Sequence, residues 1–294
     1  MDTLRTGTLG VPGARLYYEV RGAGPPLLLI TGGNSDAAVF EDLAAVLAAR
    51  FRVVGYDLRG NSRSVLSGPP VDQRIEAHAD DASRLLAHLF PTGEPVHVFG
   101  SCLGALVGLE LTSRHPDRVR AVVAHEPPAV ALLPDAEEHL ALVDDVVRTF
   151  HREGVVPALR RLSALFDGRP APALPEERDN SAFFLAHVLR PSMRFVPDLA
   201  ALAAVADRVT MAGGHDSRAY VVHRPAVALA RRLGHRPVLF PGGHVGYAGA
   251  PGAFAERLVE VFATRPAGGA DPGGTGGTSG AGGTGGPGAR ACAS

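Results

Sequence analysis

The sequence predicts an α/β protein: a doubly wound, mostly parallel sheet with an inserted helical cap. Short continuous apolar runs such as 25–30 (PPLLLI) and 96–99 (VHVF) have the composition of strands buried on both faces. They alternate with segments whose apolar residues recur at helical period. Between about 129 and 205 the strand signal lapses and only the helical period remains, interrupted at Pro157, Pro170 to Pro175 and Pro191.

In chain order, 13–21 (GARLYYEVR) alternates as a half-buried strand and 25–30 is the next. A turn, Thr31-Gly32-Gly33-Asn34-Ser35-Asp36, leads into an apolar pattern from Phe40 to Leu47 that reads as a helix. That turn has neither G-x-G-x-x-G nor the Lys-Ser/Thr of a P-loop, so it is no phosphate cradle. Residues 52–56 (RVVGY) give a strand that runs into Asp57-Leu58-Arg59-Gly60-Asn61-Ser62, where Asp57 and Arg59 are expected to form a structural pair within the loop. A helix follows over about 80–89, with Ala82, Leu85, Leu86 and Leu89 on one face.

The stretch 95–114, PVHVFGSCLGALVGLELTSR, is a strand, a sharp turn and a helix. Its turn reads Gly100-Ser101-Cys102-Leu103-Gly104, the strained nucleophile elbow G-x-S-x-G with cysteine in the serine position. An elbow needs small residues two before and two after its nucleophile, and the glycines meet that need for Cys102. They do not meet it for Ser101, whose corresponding neighbours are Phe99 and Leu103. Cys102 is therefore the candidate nucleophile.

Beyond it, 119–124 (VRAVVA) is a strand closed by His125-Glu126, 208–212 (RVTMA) one closed by Gly213-Gly214-His215-Asp216, and 237–240 (PVLF) one closed by Pro241-Gly242-Gly243-His244. Helices are expected over about 225–233 and 251–262. The organisation read from this is 1–128 as the first part of the core, 129–205 as the cap, 206–265 as the second part of the core, and 266–294 as a disordered Gly-rich tail.

Composition narrows the chemistry. The chain has 294 residues with 29 basic against 30 acidic, a balance without the footprint of a nucleic-acid or anionic-membrane partner. Small neutral molecules are the expected partners. Every basic residue is arginine, which excludes Schiff-base chemistry through a lysine amine. The histidines are scattered singly and no H-E-x-x-H occurs, so no metal and no cofactor are expected. The opening residues lack the apolar core of a signal peptide and no apolar run is long enough to cross a bilayer, so a cytoplasmic protein is expected.

With GSCLG, the preceding TGG loop, YDLRG, GGHD and PGGH in this order, residues 13–265 resemble the α/β-hydrolase superfamily. The resemblance implies an α/β-hydrolase fold, with Cys102 as nucleophile, His244 as base and Asp216 as acid. Glu126 is the rival acid, because some members place it after the strand that follows the elbow helix. The backbone N–H groups of Gly33 and Leu103 become the candidate oxyanion hole. Asn34, Phe183, Phe184 and His187 are candidate substrate contacts, and Arg190 and Arg194 could hold a substrate carboxylate. Cysteine replaces the usual serine, as in dienelactone hydrolases; Thr31 stands where many members have a histidine; and Ser62 breaks the glycine pattern after YDLRG.

The chemistry of the residues agrees. A thiol at a helix N-terminus beside a histidine favours a thiolate–imidazolium pair, and an acid on the other ring nitrogen fixes the tautomer. The expected activity is hydrolysis of an ester, thioester or lactone of a small molecule through an acyl-cysteine. The alternatives are acyl transfer or cyclisation on the same triad, or a non-catalytic small-molecule-binding protein of this fold.

Overall fold

A computed structural model describes residues 4–166 and 179–264. The expected tail 266–294 and the cap break at Pro170 to Pro175 lie outside the described residues. Among the described residues nine strands form one sheet: β1 (Arg5–Val11), β2 (Ala14–Arg21), β3 (Pro26–Ile30), β4 (Arg52–Tyr56), β5 (Val65–Leu66), β6 (Val96–Ser101), β7 (Val119–His125), β8 (Val209–Gly214) and β9 (Val238–Phe240). Their spatial order is β1-β2-β4-β3-β6-β7-β8-β9, with β5 paired to β2. The six strands from β4 to β9 along this order are parallel, whereas β1, β2 and β5 pair antiparallel at one side.

Helices α1 (Glu41–Leu47), α2 (Ile75–Leu89) and α3 (Leu103–Arg114) connect the first parallel strands. Between β7 and β8 come α4 (Ala136–Glu153), α5 (Val155–Leu162), α6 (Ser181–Phe183), a π-helical turn at Phe184–Val188, α7 (Leu189–Arg194) and α8 (Leu199–Ala203). These helices occupy the stretch expected as a cap. Helices α9 (Arg224–Arg232), α10 (Gly246–Gly249) and α11 (Pro251–Ala263) complete the chain.

The alternation of strand residues feeds two cores. Leu28, Ile30, Val98, Val122 and Val209 join α2, α3 and the cap in one, while Leu27, Leu29, Phe99, Val123 and Phe240 join α1 and α11 in the other. Helices on both faces explain why every residue of β3 and β6 is buried and why those strands read as continuous apolar runs. β1 was not foreseen: RTGTLGV is an exposed edge strand with two glycines and little apolar alternation to announce it. Helix α2 starts five residues earlier than its apolar face suggested, since Ile75, His78 and Ala79 also turn inward.

The loop pair Asp57–Arg59 is corrected. Asp57 accepts from Arg63 Nε at 2.8 Å and Nη2 at 2.9 Å and from the Ala37 amide at 2.9 Å, while Arg59 clamps Asp81 with Nε at 2.7 Å and Nη2 at 2.6 Å. Spacing showed two opposite charges in one loop but not that each had a nearer partner. Arg190 and Arg194 both donate to Asp144 on α4, at 2.9 and 2.8 Å, and so tie cap helices together.

Candidate active site

The chemistry-bearing residues gather at the carboxyl ends of the parallel strands, where an open α/β sheet leaves a crevice. β6 lies between β3 and β7, pairing Ile30 with Gly100 and Ser101 with His125. That register brings the TGG loop and the His125-Glu126 turn to either side of Cys102.

Cys102 has φ 55° and ψ −120°, a strained conformation for a residue with a Cβ. It follows from close packing between strand and helix. A Cβ on Gly100 would lie 2.1 Å from the Gly104 oxygen, and one on Gly104 would lie 2.1 Å from the Ile30 oxygen. Neither position tolerates a larger residue, so the glycine register fixes which side chain stands at the apex. Cys102 is partly exposed and Ser101 is fully buried, as that register requires. The Cys102 amide donates to His125 O at 2.9 Å, fastening the elbow to β7.

His244 is buried in the turn after β9 and its side chain is hydrogen-bonded to Cys102. Its Nδ1 lies 2.8 Å from Oε2 of Glu126. Glu126, rather than Asp216, is therefore the carboxylate on this imidazole, which reverses the preference between the two acids drawn from the sequence. Asp216 is exposed, its carboxylate 3.2 Å from Nδ1 of its neighbour His215. Glu126 is wholly buried and takes φ 48°, a left-handed conformation that turns its side chain back over the strand ends. Its other oxygen, Oε1, accepts from the Gly214 amide at 2.8 Å and from the Ser217 hydroxyl, with His223 Nδ1 at 3.4 Å.

These contacts decide the charge states. Burial alone would raise the Glu126 carboxyl, but hydrogen bonds from His223 and His244 hold it far below the usual carboxylate range. Burial alone would lower His244, yet its hydrogen bonds to Cys102 and Glu126 raise it to about 10. His244 thus carries an imidazolium at neutral pH between two acidic partners. His125, fully buried with no hydrogen-bond partner on either ring nitrogen, is pushed down by burial to about 4 and stays neutral.

Opposite this line of groups, Gly32 and Gly33 follow β3. A Cβ on Gly32 would lie 3.7 Å from Cys102 Cβ, so the loop passes directly beside the thiol. Asn61 shapes it, donating Nδ2 to the Gly33 and Ser35 carbonyls, both at 2.9 Å. Leu103 opens α3, where the first amides have no partner within the helix.

Of the four candidate substrate contacts, Phe184 sits over the loop: a Cβ on Gly33 would fall 2.7 Å from its ring and 3.3 Å from Val188. Asn34, the next residue of that loop, is half-buried. Phe183 instead covers Gly60, and His187 reaches Asp72 at 3.5 Å while its carbonyl accepts from Gln73, so these two fasten the cap to the core. Phe166, in the stretch expected as a cap, packs its ring 4.9 Å from that of His244. Ser217, His223 and Asn61 were missed altogether. The adjacency of Ser217 to GGHD and of Asn61 to YDLRG was the only signal, because neither residue belongs to a periodic pattern.

The family model described as "alpha/beta hydrolase fold" matches residues 25–168. The uncharacterized hydrolase YraK of Bacillus subtilis (strain 168) is 39% identical over 266 residues, covering 88% of this chain and 96% of that protein. This chain belongs to the α/β-hydrolase family. A zearalenone hydrolase of Cladophialophora bantiana is 33% identical over 134 residues, 43% of this chain and 48% of that one. Among solved structures, a thermophilic esterase from Thermogutta terrifontis superposes with a TM-score of 0.64 at 22% identity, covering 90% of this chain and 98% of that one.

The chain is a hydrolase of this fold. Among the described residues no helix is long and apolar enough to cross a membrane, and no cluster of His, Cys, Asp and Glu could hold a metal ion.

Proposed function

We propose that this hydrolase cleaves an ester, thioester or lactone of a small molecule through an acyl-Cys102 intermediate, with Cys102, His244 and Glu126 as its reacting set, in a cytoplasmic setting and without a cofactor. The observation that carries the reading is the continuous hydrogen-bonded line from Cys102 through His244 to Glu126, ending at a strained elbow. The protonated His244 beside Cys102 supplies the proton that the leaving group needs.

The Cys102 Sγ attacks the carbonyl carbon, and the carbonyl electron pair becomes an oxyanion facing the amides of Gly33 and Leu103. Collapse reforms the carbonyl and breaks the bond to the leaving alkoxide or thiolate, which takes the proton from the His244 ring nitrogen facing Cys102. Neutral His244 then removes a proton from water, the hydroxide attacks the thioester, and the thiolate leaves while the acid product departs. Glu126 keeps its charge throughout, holding the ring orientation and balancing the imidazolium.

Phe184 and Phe166 beside the reacting atoms favour an uncharged, apolar acyl group. A panel of p-nitrophenyl esters, acyl thioesters and lactones, followed by intact mass, tests the reading. Turnover with a transient acyl adduct on Cys102, absent in Cys102→Ala, is expected; turnover that persists in Cys102→Ala would overturn it.

A further inference from the structure

Glu126 is held by more donors than one imidazole requires. Oε2 serves His244 Nδ1 at 2.8 Å, while Oε1 meets the Gly214 amide at 2.8 Å, the Ser217 hydroxyl, and His223 Nδ1 at 3.4 Å. Ser217 is fully buried and His223 nearly so. The Ser217 hydroxyl also lies 3.1 Å from the Gly214 carbonyl; its single proton goes to the charged acceptor, the stronger of the two. The backbone makes room for the second ring: a Cβ on Gly213 would lie 2.4 Å from His223 Nδ1 and 3.3 Å from Glu126 Oε1.

The terminal torsion of a glutamate is broad and two-fold, so a carboxylate held by one bond can rotate away from its partner. Donors on Oε1 remove that freedom. We infer that Ser217 and His223 are positioning residues of the hydrolytic reaction: by occupying Oε1 of Glu126 they hold Oε2 in line with His244 Nδ1. This rests on the reading of Glu126 as the acid of the site. His223 then carries its proton on Nδ1, facing the carboxylate.

The other titratable groups around this carboxylate are His244, His125, Tyr247 and, beyond His244, Cys102. His125 is neutral through burial and Tyr247 is raised first by burial, so neither adds charge near neutral pH. The charge that Ser217 and His223 manage is the carboxylate of Glu126 itself.

The test compares Ser217→Ala, Ser217→Thr, His223→Ala and His223→Asn with the parent protein, on one neutral p-nitrophenyl ester, by kcat, KM, the alkaline limb of kcat/KM and Tm. Threonine keeps the hydroxyl, and asparagine places an amide donor near the Nδ1 position. With the carboxylate free to rotate, each alanine variant loses roughly tenfold or more in kcat at little cost in KM. Its alkaline limb moves down by on the order of one pH unit, because His244 holds its proton less tightly. Each conservative variant recovers most of both.

Folded alanine variants with an unmoved limb and kcat within about twofold of the parent would overturn the positioning role, as would conservative variants that restore neither quantity. If Ser217→Ala does not fold, the His223 pair decides alone. Glu126→Gln, run alongside, separates the two levels: an unchanged Glu126→Gln means the acid reading fails, whereas a Glu126→Gln that moves the limb while the alanine variants do not defeats only the positioning role.

Discussion

The turns after β7 and β8 each present a histidine followed by an acid, His125-Glu126 and His215-Asp216, at neighbouring strand ends, yet they end in different worlds. His125 and Glu126 are wholly buried; His215 and Asp216 are exposed and paired with each other. In the β7 turn the left-handed backbone at Glu126 and the longer glutamate side chain bring a carboxylate to His244. The β8 turn contributes to the same site through its Gly214 amide and Ser217, while its own acid points outward. A carboxylate at the right place in chain order is thus not yet a partner. Depth, side-chain reach and the backbone angle at one residue decide which of two similar turns supplies the charge and which supplies the donors.

The comparison has meaning only if both turns serve Cys102. Cys102→Ala should therefore lower kcat by on the order of 10⁵-fold or more while Tm stays close to that of the parent, measured on the ester the enzyme turns over best. A residual rate near that of the parent would remove the reason for ranking the acids.

The supporting role of the β8 turn can be broken at Gly214. A Cβ there would lie 2.6 Å from the Gly243 backbone, so Gly214→Ala must shift the chain and disturb the amide bond to Glu126. A loss of ~1–3 kcal/mol in urea unfolding is expected, with reduced kcat. Unchanged stability would show the turn to be looser than its packing implies.

The charge balance around His244 sharpens the comparison through pH. Its folded pKa is raised, to about 10 from 6.5, so its stabilising contribution is fully present below pH 6.5 and is lost as pH rises through about 10. The Tm gap between the parent and His244→Asn should shrink across that interval. A gap that widens with pH would mean that His244 is buried neutral. Glu126 works in the opposite sense: its depressed pKa gives stability present above its ordinary 4.5 and lost as pH falls through the lower folded value.

The smallest effect belongs to the outer turn. Asp216→Ala removes an exposed carboxylate paired with His215 and should change unfolding free energy by less than about 0.5 kcal/mol. A larger loss would show that Asp216 secures the turn itself.

Where the sequence spoke clearly, it did so through residues whose reason is local. Gly100 and Gly104 identify the elbow because strand and helix crowd at a fixed spacing, and the apolar runs of β3 and β6 follow from burial on both faces. The choice between Glu126 and Asp216 is not local, since it depends on how β7, β8 and the His244 turn meet after folding. The same holds for Arg59 and Arg190, whose partners Asp81 and Asp144 lie on other elements. Edge strand β1 was silent for a third reason, since an exposed, glycine-containing strand buries too little to leave a pattern.

We propose that Glu126, not Asp216, orients and charges His244. It is tested most directly by kcat for Glu126→Gln and Asp216→Asn, both shown to be folded, on one substrate at neutral pH. Glu126→Gln is expected to lose roughly 10²–10⁴-fold in kcat, and Asp216→Asn to change it within about threefold. The reverse ranking would contradict it.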